Sequence, residues 1–269
     1  MKFSIVTPSL NCAAYIARNI RSVREQNCAP GELEHWIIDG GSTDGTIEIL
    51  KREPDIKWIS EKDDGLPDAV NKGIKRSNGE WIIWLNADDA LAPGALRIFL
   101  DEERYHPECA IFCGAQKVFD YEERLEAVTP GWDYDLRDLI GKRTAIIQAS
   151  TFVHRRVYDQ VGLLDTTFRY AMDYEWVVRA MQSFACRPID AVLTYYYRRR
   201  GSIMDKGIAG QHREFLRVRR MYHKSPWNLA ELRLRFYLAT DFLRRNHKLR
   251  ACIRRIKTWL GYPPSHPAS

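Results

Sequence analysis

Apolar residues along the first ninety positions follow two rhythms. Short runs rich in β-branched and aromatic residues, Lys2 to Thr7, His35 to Asp39, Ile56 to Ser60 and Trp81 to Leu85, read as strands. Between them apolar residues recur at three and four positions. Ile16, Ile20 and Val23 follow Asn11, a candidate cap, and Ile47 and Leu50 follow a Gly40 to Gly45 turn in which Ser42 and Asp44 are candidate caps. Ala69 to Arg76 makes a third helix. Strands and helices alternating in this way predict an α/β fold, a mostly parallel sheet with helices on both faces. Beyond Pro93 and Gly94, which begin a helix, the rhythm loosens. Cys109 to Ala115 and Gln116 to Tyr121 are expected to pair as a hairpin, Ser150 to Val153 adds a strand, Met172 to Ser183 a helix, and Ala191 to Tyr197 an aromatic strand. From Trp227 the pattern is helical through Leu229, Leu232, Phe236, Ala239 and Leu243, then Leu249 to Leu260, and Tyr262-Pro263-Pro264 ends it.

Charge divides the chain where the pattern changes. The 269 residues carry a net +6, but residues 211–269 hold fourteen Lys/Arg against three Asp/Glu, a net +11, which leaves −5 for the rest. Two units are therefore expected: an α/β domain over 1–210 and a basic amphipathic helical extension over 211–269. The extension packs on its own domain or lies on anionic lipid, two alternatives the sequence leaves open. No nucleic-acid module accompanies its charge, so no nucleic-acid partner is expected. Nothing approaches the roughly 18 apolar residues of a membrane-spanning helix, and no signal-peptide pattern precedes Phe3. The six cysteines (Cys12, Cys28, Cys109, Cys113, Cys186 and Cys252) lack paired metal-site spacing. The expected setting is cytoplasmic, with reduced thiols and the inner face of the cell membrane within reach of the tail.

The strand Trp81-Ile82-Ile83-Trp84-Leu85 reads as buried on both faces, yet it runs into Asn86-Ala87-Asp88-Asp89. Two adjacent carboxylates at the carboxyl edge of a sheet repel each other unless a cation stands between them. Mg²⁺ or Mn²⁺ held with a diphosphate suits such a pair. An Asp-rich turn capping the next helix is the structural alternative. Gly40-Gly41-Ser42-Thr43-Asp44-Gly45 departs from the Gly-x-Gly-x-x-Gly dinucleotide fingerprint, so a dehydrogenase is disfavoured.

Five segments occur in a telling order: Thr7-Pro8-Ser9-Leu10-Asn11, Ile37-Ile38-Asp39-Gly40-Gly41-Ser42-Thr43-Asp44-Gly45-Thr46, Ser60-Glu61-Lys62-Asp63, Asp68-Ala69-Val70-Asn71-Lys72-Gly73-Ile74 and Leu85-Asn86-Ala87-Asp88-Asp89. Over residues 1 to 200 this resembles the family 2 glycosyltransferases of GT-A fold, in particular bacterial polysaccharide-building members. The resemblance implies a metal-dependent inverting transfer from a nucleotide sugar, a UDP-sugar above all, to a glycan or lipid-linked glycan. It implies that the backbone at Pro8 borders the base, that Asp39 accepts a hydrogen bond from the uracil imide, and that Lys72 touches phosphate or ribose. Asp89 would bind the cation, and Asp88 would hold the ribose or share the metal. Asp173 aligns with the catalytic base, Glu175 ranks second, and Gln148 lies near the acceptor. Arg199, within Arg198-Arg199-Arg200, would contact the diphosphate. The competing expectation is a non-catalytic nucleotide-binding scaffold on the same framework. A nucleotidyltransferase normally has a Gly-rich basic loop after its first strand, and Ser9-Leu10-Asn11-Cys12-Ala13 lacks it.

Overall fold

The computed structural model describes residues 1–141, 146–200 and 208–222. Strand and helix alternate as the apolar rhythm requires: β1 (Phe3–Ser9), α1 (Ile16–Arg24), β2 (Leu33–Asp39), α2 (Thr46–Leu50), β3 (Lys57–Ser60), α3 (Leu66–Arg76) and β4 (Trp81–Trp84). These four strands pair in parallel in the order β3-β2-β1-β4. The chain continues through β5 (Ala90–Leu91), α4 (Ala95–Tyr105), β6 (Ile111–Phe119), β7 (Leu125–Thr129), α5 (Leu136–Gly141), a 3₁₀ turn (Gln148–Ser150) and β8 (Thr151–His154). It then forms α6 (Arg155–Val161), α7 (Met172–Ala180), β9 (Cys186–Tyr197) and α8 (Ile208–Tyr222). In this half β8 joins antiparallel to β4, and β6 runs antiparallel to β8 and parallel to β9. The result is one mixed nine-stranded sheet, most of its paired residues in parallel ladders, flanked by helices.

Every residue of β1 and β4 is buried, which accounts for their lack of alternation. Beneath them Phe99 of α4 sits among Trp81, Phe112 and Phe152 at ring separations of 4.7, 5.4 and 5.0 Å, with Phe3 at 5.8 Å. Three of these contacts are edge-to-face, the arrangement favoured by aromatic quadrupoles. This cluster fixes β4, and therefore the Asp88-Asp89 turn at its end.

Four expectations are corrected. Residues 111–119 form one strand, not a hairpin, because parallel pairing with β9 runs its whole length; β7 is its hairpin partner. Asn11 caps no helix: at φ +52° its Oδ1 accepts the Thr43 N–H at 2.9 Å, tying the β1 exit to the loop after β2, and α1 starts behind Tyr15. Asp44 does receive the Thr46 N–H at 3.1 Å at the start of α2, but Ser42 turns to Asp39 instead. Finally, the 210/211 boundary falls inside α8, whose Phe215 packs on Tyr174 of α7 at 5.2 Å. Residues 211–222 thus pack with the domain, while the helices expected from Trp227 onward, and Cys252, lie outside the described residues. The five described cysteines are free thiols. Among the described residues no helix is long and apolar enough to cross a membrane.

Candidate active site

Because β2 and β4 flank β1 on opposite sides, the connections leaving their carboxyl ends diverge and open a crevice, the usual ligand position in such sheets. Asp39 ends β2 there but is fully buried. Its Oδ2 accepts the N–H groups of Gly41 (3.0 Å) and Ser42 (2.9 Å) and the Ser60 hydroxyl (2.7 Å), and its Oδ1 accepts the Ser42 hydroxyl. Gly41 makes this turn possible at φ +89°. With four donors on one fully buried carboxylate, Asp39 holds the turn. Asp63 is less engaged. Its Oδ1 accepts the Gly65 N–H at 2.9 Å, whereas among the described residues no donor reaches Oδ2. That carboxylate lies against Gly40, where any Cβ would overlap it, with Leu10 alongside. Pro8 is buried within β1 opposite Ile38. Lys72 is drawn to Asp68 (3.1 Å), Glu61 (3.3 Å) and the Lys62 carbonyl (2.9 Å), so it anchors the loop before α3.

The turn after β4 separates its two acids. Asp89 is fully buried; Asn86 Nδ2 donates to its Oδ2 at 3.2 Å and the Tyr197 N–H to its Oδ1 at 3.4 Å. Burial, then the neighbouring charge of Asp88, push the Asp89 carboxyl well above the ordinary range. Asp88 instead faces a cavity of about 260 Å³ lined by Tyr15, Arg18, Tyr197, Arg199 and Arg200 among others. Its Oδ2 lies 2.6 Å from Arg199 Nε. Arg18 closes the same cavity: its guanidinium lies 3.5 Å from the Tyr197 ring centroid, pairs with Glu123 at 2.6 Å and donates to the Asp88 carbonyl at 3.3 Å. Arg198 turns away to Glu126 at 2.8 Å.

Asn86 links this end of the crevice to another. Its Oδ1 accepts from the Trp84 indole at 2.9 Å, and its Nδ2 donates to Gln148 Oε1 at 3.3 Å, while Gln148 Nε2 donates to the Trp84 carbonyl. Trp84 and Gln148 line a second, mainly apolar pocket with Tyr158, Trp176 and Asp173. Tyr158 stacks on Trp176 at 4.6 Å. Asp173 begins α7, half-buried, with Oδ1 accepting the Tyr174 N–H at 2.7 Å. Burial raises its carboxyl to about 6, with Glu214 adding a smaller push in the same direction. Glu175 is 2% exposed and bound to Arg179 (2.9 Å) and the Tyr222 hydroxyl (2.8 Å), which gives it a structural role.

The family model described as glycosyl transferase family 2 matches residues 4–163. The chain belongs to this family. The PGL/p-HBAD biosynthesis glycosyltransferase of Mycobacterium tuberculosis is 29% identical over 188 residues, which cover 67% of this chain and 70% of that protein. Among solved structures, S. aureus TarS in complex with UDP-GlcNAc superimposes with a TM-score of 0.66 at 17% identity, over 98% of this chain and 76% of that one. A longer TarS chain is spanned to 45% of its length. The mannosyltransferase PcManGT from Pyrobaculum calidifontis, in complex with GDP-Man and Mn²⁺, gives 0.62 at 17% identity over the same shares. These likenesses place the chain in the GT-A fold.

In this family 2 glycosyltransferase the donor set at the β4 turn fits a divalent cation shared with phosphate. Among the described residues no group of three or more His, Cys, Asp or Glu side chains converges, so the protein offers carboxylate at Asp88, with Asp89 behind it. Hard cations that take one or two carboxylates and complete their shell from phosphate and water match that supply. A cation would also offset the charge of Asp88, which adds to the effect of burial on Asp89. The sequence did not single out Arg18 or Tyr197, because an arginine on an amphipathic helix and a tyrosine in an aromatic strand carry no motif. Asp63 stood within a motif but had no assigned role.

Proposed function

We propose that the chain transfers a glycosyl residue, with inversion, from a nucleoside diphosphate sugar to a hydroxyl of a glycan or lipid-linked glycan. The observation that carries this reading is the joining of two ends of one crevice. Asp88 with Arg199 stands at one end, and Asp173 at the other shares a pocket with Trp84 and Gln148, which Asn86 bonds back to Asp89. Mn²⁺ or Mg²⁺, held by Asp88 with Asp89 in support, would supply Lewis acidity to the departing diphosphate. Arg199 and Arg18 line the same cavity and suit phosphate oxygens. Asp173, poised near neutrality, takes the proton of the attacking hydroxyl. The aromatic walls Trp84, Tyr158 and Trp176 present flat apolar faces to sugar and keep water from the base.

The base-reading role passes from Asp39 to Asp63. An ionised carboxylate accepts and does not donate, so it suits the ring N–H of uracil (N3) or guanine (N1), a donor that cytosine and adenine lack on that edge, where they offer only an exocyclic amino group. The UDP- and GDP-sugar complexes of the structural neighbours support that class. The charge of residues 211–269 supports an acceptor at an anionic surface.

The test is donor hydrolysis followed by proton NMR with α-linked UDP- and GDP-sugars and Mn²⁺. Early release of the β-anomer is expected. Early release of the α-anomer, or nucleotide binding with no turnover across the panel, refutes the proposal.

A further inference from the structure

Helix α7 begins without a cap from its own cap residue: Ala171 occupies that position and has no polar side chain, and within the first turn Asp173 Oδ1 takes the Tyr174 N–H. An acceptor for the loop that leads into the helix, up to the cap residue, comes from another element. Glu214, one turn and a half into α8, accepts the N–H groups of Arg169 (3.0 Å to Oε1), Tyr170 (2.7 Å) and Ala171 (2.8 Å), the last two on Oε2. These three donors immediately precede Met172 and Asp173. A carboxylate on consecutive N–H groups at a helix start also complements the positive end of the helix. The same face of α8 backs the loop. Arg217 lies 4.1 Å from the Phe168 ring centroid and donates to the Thr167 hydroxyl at 2.8 Å, and Phe215 packs on Tyr174.

We propose that Glu214 is a positioning residue for Asp173, a carboxylate borrowed from α8 that fixes the 169–171 loop and so aims the base into its pocket. This rests on the reading of Asp173 as the base. Misplacing a reacting group by about 1 Å costs up to about 100-fold in rate, so the loop is a place where one acceptor governs turnover. Glu214 also acts through charge. Of the groups on the elements around α7, Glu214 is the one whose charge reaches Asp173. Arg219 of α8 is turned to the Tyr174 hydroxyl, Arg179 is paired with Glu175, Tyr158 of α6 is stacked on Trp176, and Asp138 lies on α5 beside Leu139, whose carbonyl holds Tyr174.

The experiment compares wild type, Glu214→Gln and Glu214→Asp in the full chain, by donor turnover across pH with folding checked by circular dichroism. Glu214→Gln keeps the shape, loses one acceptor and the charge, and is expected to lower kcat about 10- to 100-fold. It should also move the acid limb of the pH profile downward, with the donor KM changed less than about threefold. Glu214→Asp keeps the charge, so its acid limb stays in place, but its shorter arm cannot span all three donors and kcat falls. A folded Glu214→Gln with wild-type kcat and an unmoved limb overturns the proposal. If Glu214→Gln fails to fold, a folded Glu214→Asp with wild-type kcat overturns it by itself. Asp173→Asn in parallel separates the two ideas: its retained turnover sinks the base assignment, whereas its loss beside a normal Glu214→Gln sinks the positioning role alone.

Discussion

Replacing Asp173 by Asn should abolish turnover and yet make the protein more stable, and the gain should depend on pH. The Asp173 carboxyl is raised from 3.8 to about 6, chiefly by burial. A carboxyl whose folded value lies above its unfolded one holds its proton longer when folded. Its contribution therefore favours the folded state at low pH and is lost as pH rises through about 6. A shift of about two units at 1.36 kcal/mol each corresponds to about 3 kcal/mol at pH 7. Asp173 is half-buried, so solvent reduces this, and about 1–3 kcal/mol is the expected range. Asn carries no charge to desolvate and its amide oxygen still accepts the Tyr174 N–H, so Asp173→Asn should recover that amount. Urea unfolding of both proteins from pH 5 to pH 8 reads it directly: the difference should be largest at pH 7 and above and about half as large at pH 5. Donor turnover should fall by about 100-fold or more, and in the wild type it should decline below pH 6 as the base becomes protonated. A variant less stable than wild type at pH 7, or a difference independent of pH, refutes the account of this site.

Asp63→Ala should weaken UDP and GDP binding by about 10- to 100-fold, the worth of a hydrogen bond to a charged group, and weaken CDP and ADP less in calorimetric titration; equal losses for all four would contradict the base-reading role. Asp89→Ala removes the acceptor of the Tyr197 N–H and one of the two acceptors of the Asn86 amide, which keeps Gln148, and should cost about 1–3 kcal/mol in all in chemical denaturation. Asp88→Ala, at the cavity surface, should stay within about 1 kcal/mol of wild type. Phe99→Ala empties the centre of the aromatic cluster under β4 and should cost about 3–5 kcal/mol; a cost below about 1 kcal/mol would mean that cluster does not fix the strand.

The parallel half of the fold was legible because its strands are buried on both faces and its helices carry clear apolar stripes. The second half was less so. β6 runs through Gly114 and Gln116 without a break in the chain, and only its pairing with β9 shows that no turn intervenes. At the site, motif order pointed to the turns that carry Asp39, Asp88 and Asp89, but did not assign which oxygen faces which neighbour. Asp39 reads in the sequence as a carboxylate free to face a base, and nothing there shows that Ser60, from a strand 21 residues later, donates to it. Asp88 and Asp89 are adjacent in sequence, and only the turn at Asn86 sends one to the cavity and the other inside. Glu214 was hidden in a segment read for its positive charge, where a single acid carried no signal of contact with a loop 43 to 45 residues earlier.

The central claim, that donor diphosphate and base occupy opposite ends of one crevice, is tested most directly by thermal-shift titration of UDP with and without Mn²⁺ on wild type, Asp88→Ala and Asp173→Asn, alongside donor turnover. Asp88→Ala should lose the Mn²⁺-dependent stabilisation by UDP, Asp173→Asn should keep it, and both should lose turnover. Mn²⁺-dependent stabilisation surviving in Asp88→Ala, or turnover surviving in Asp173→Asn, would contradict it.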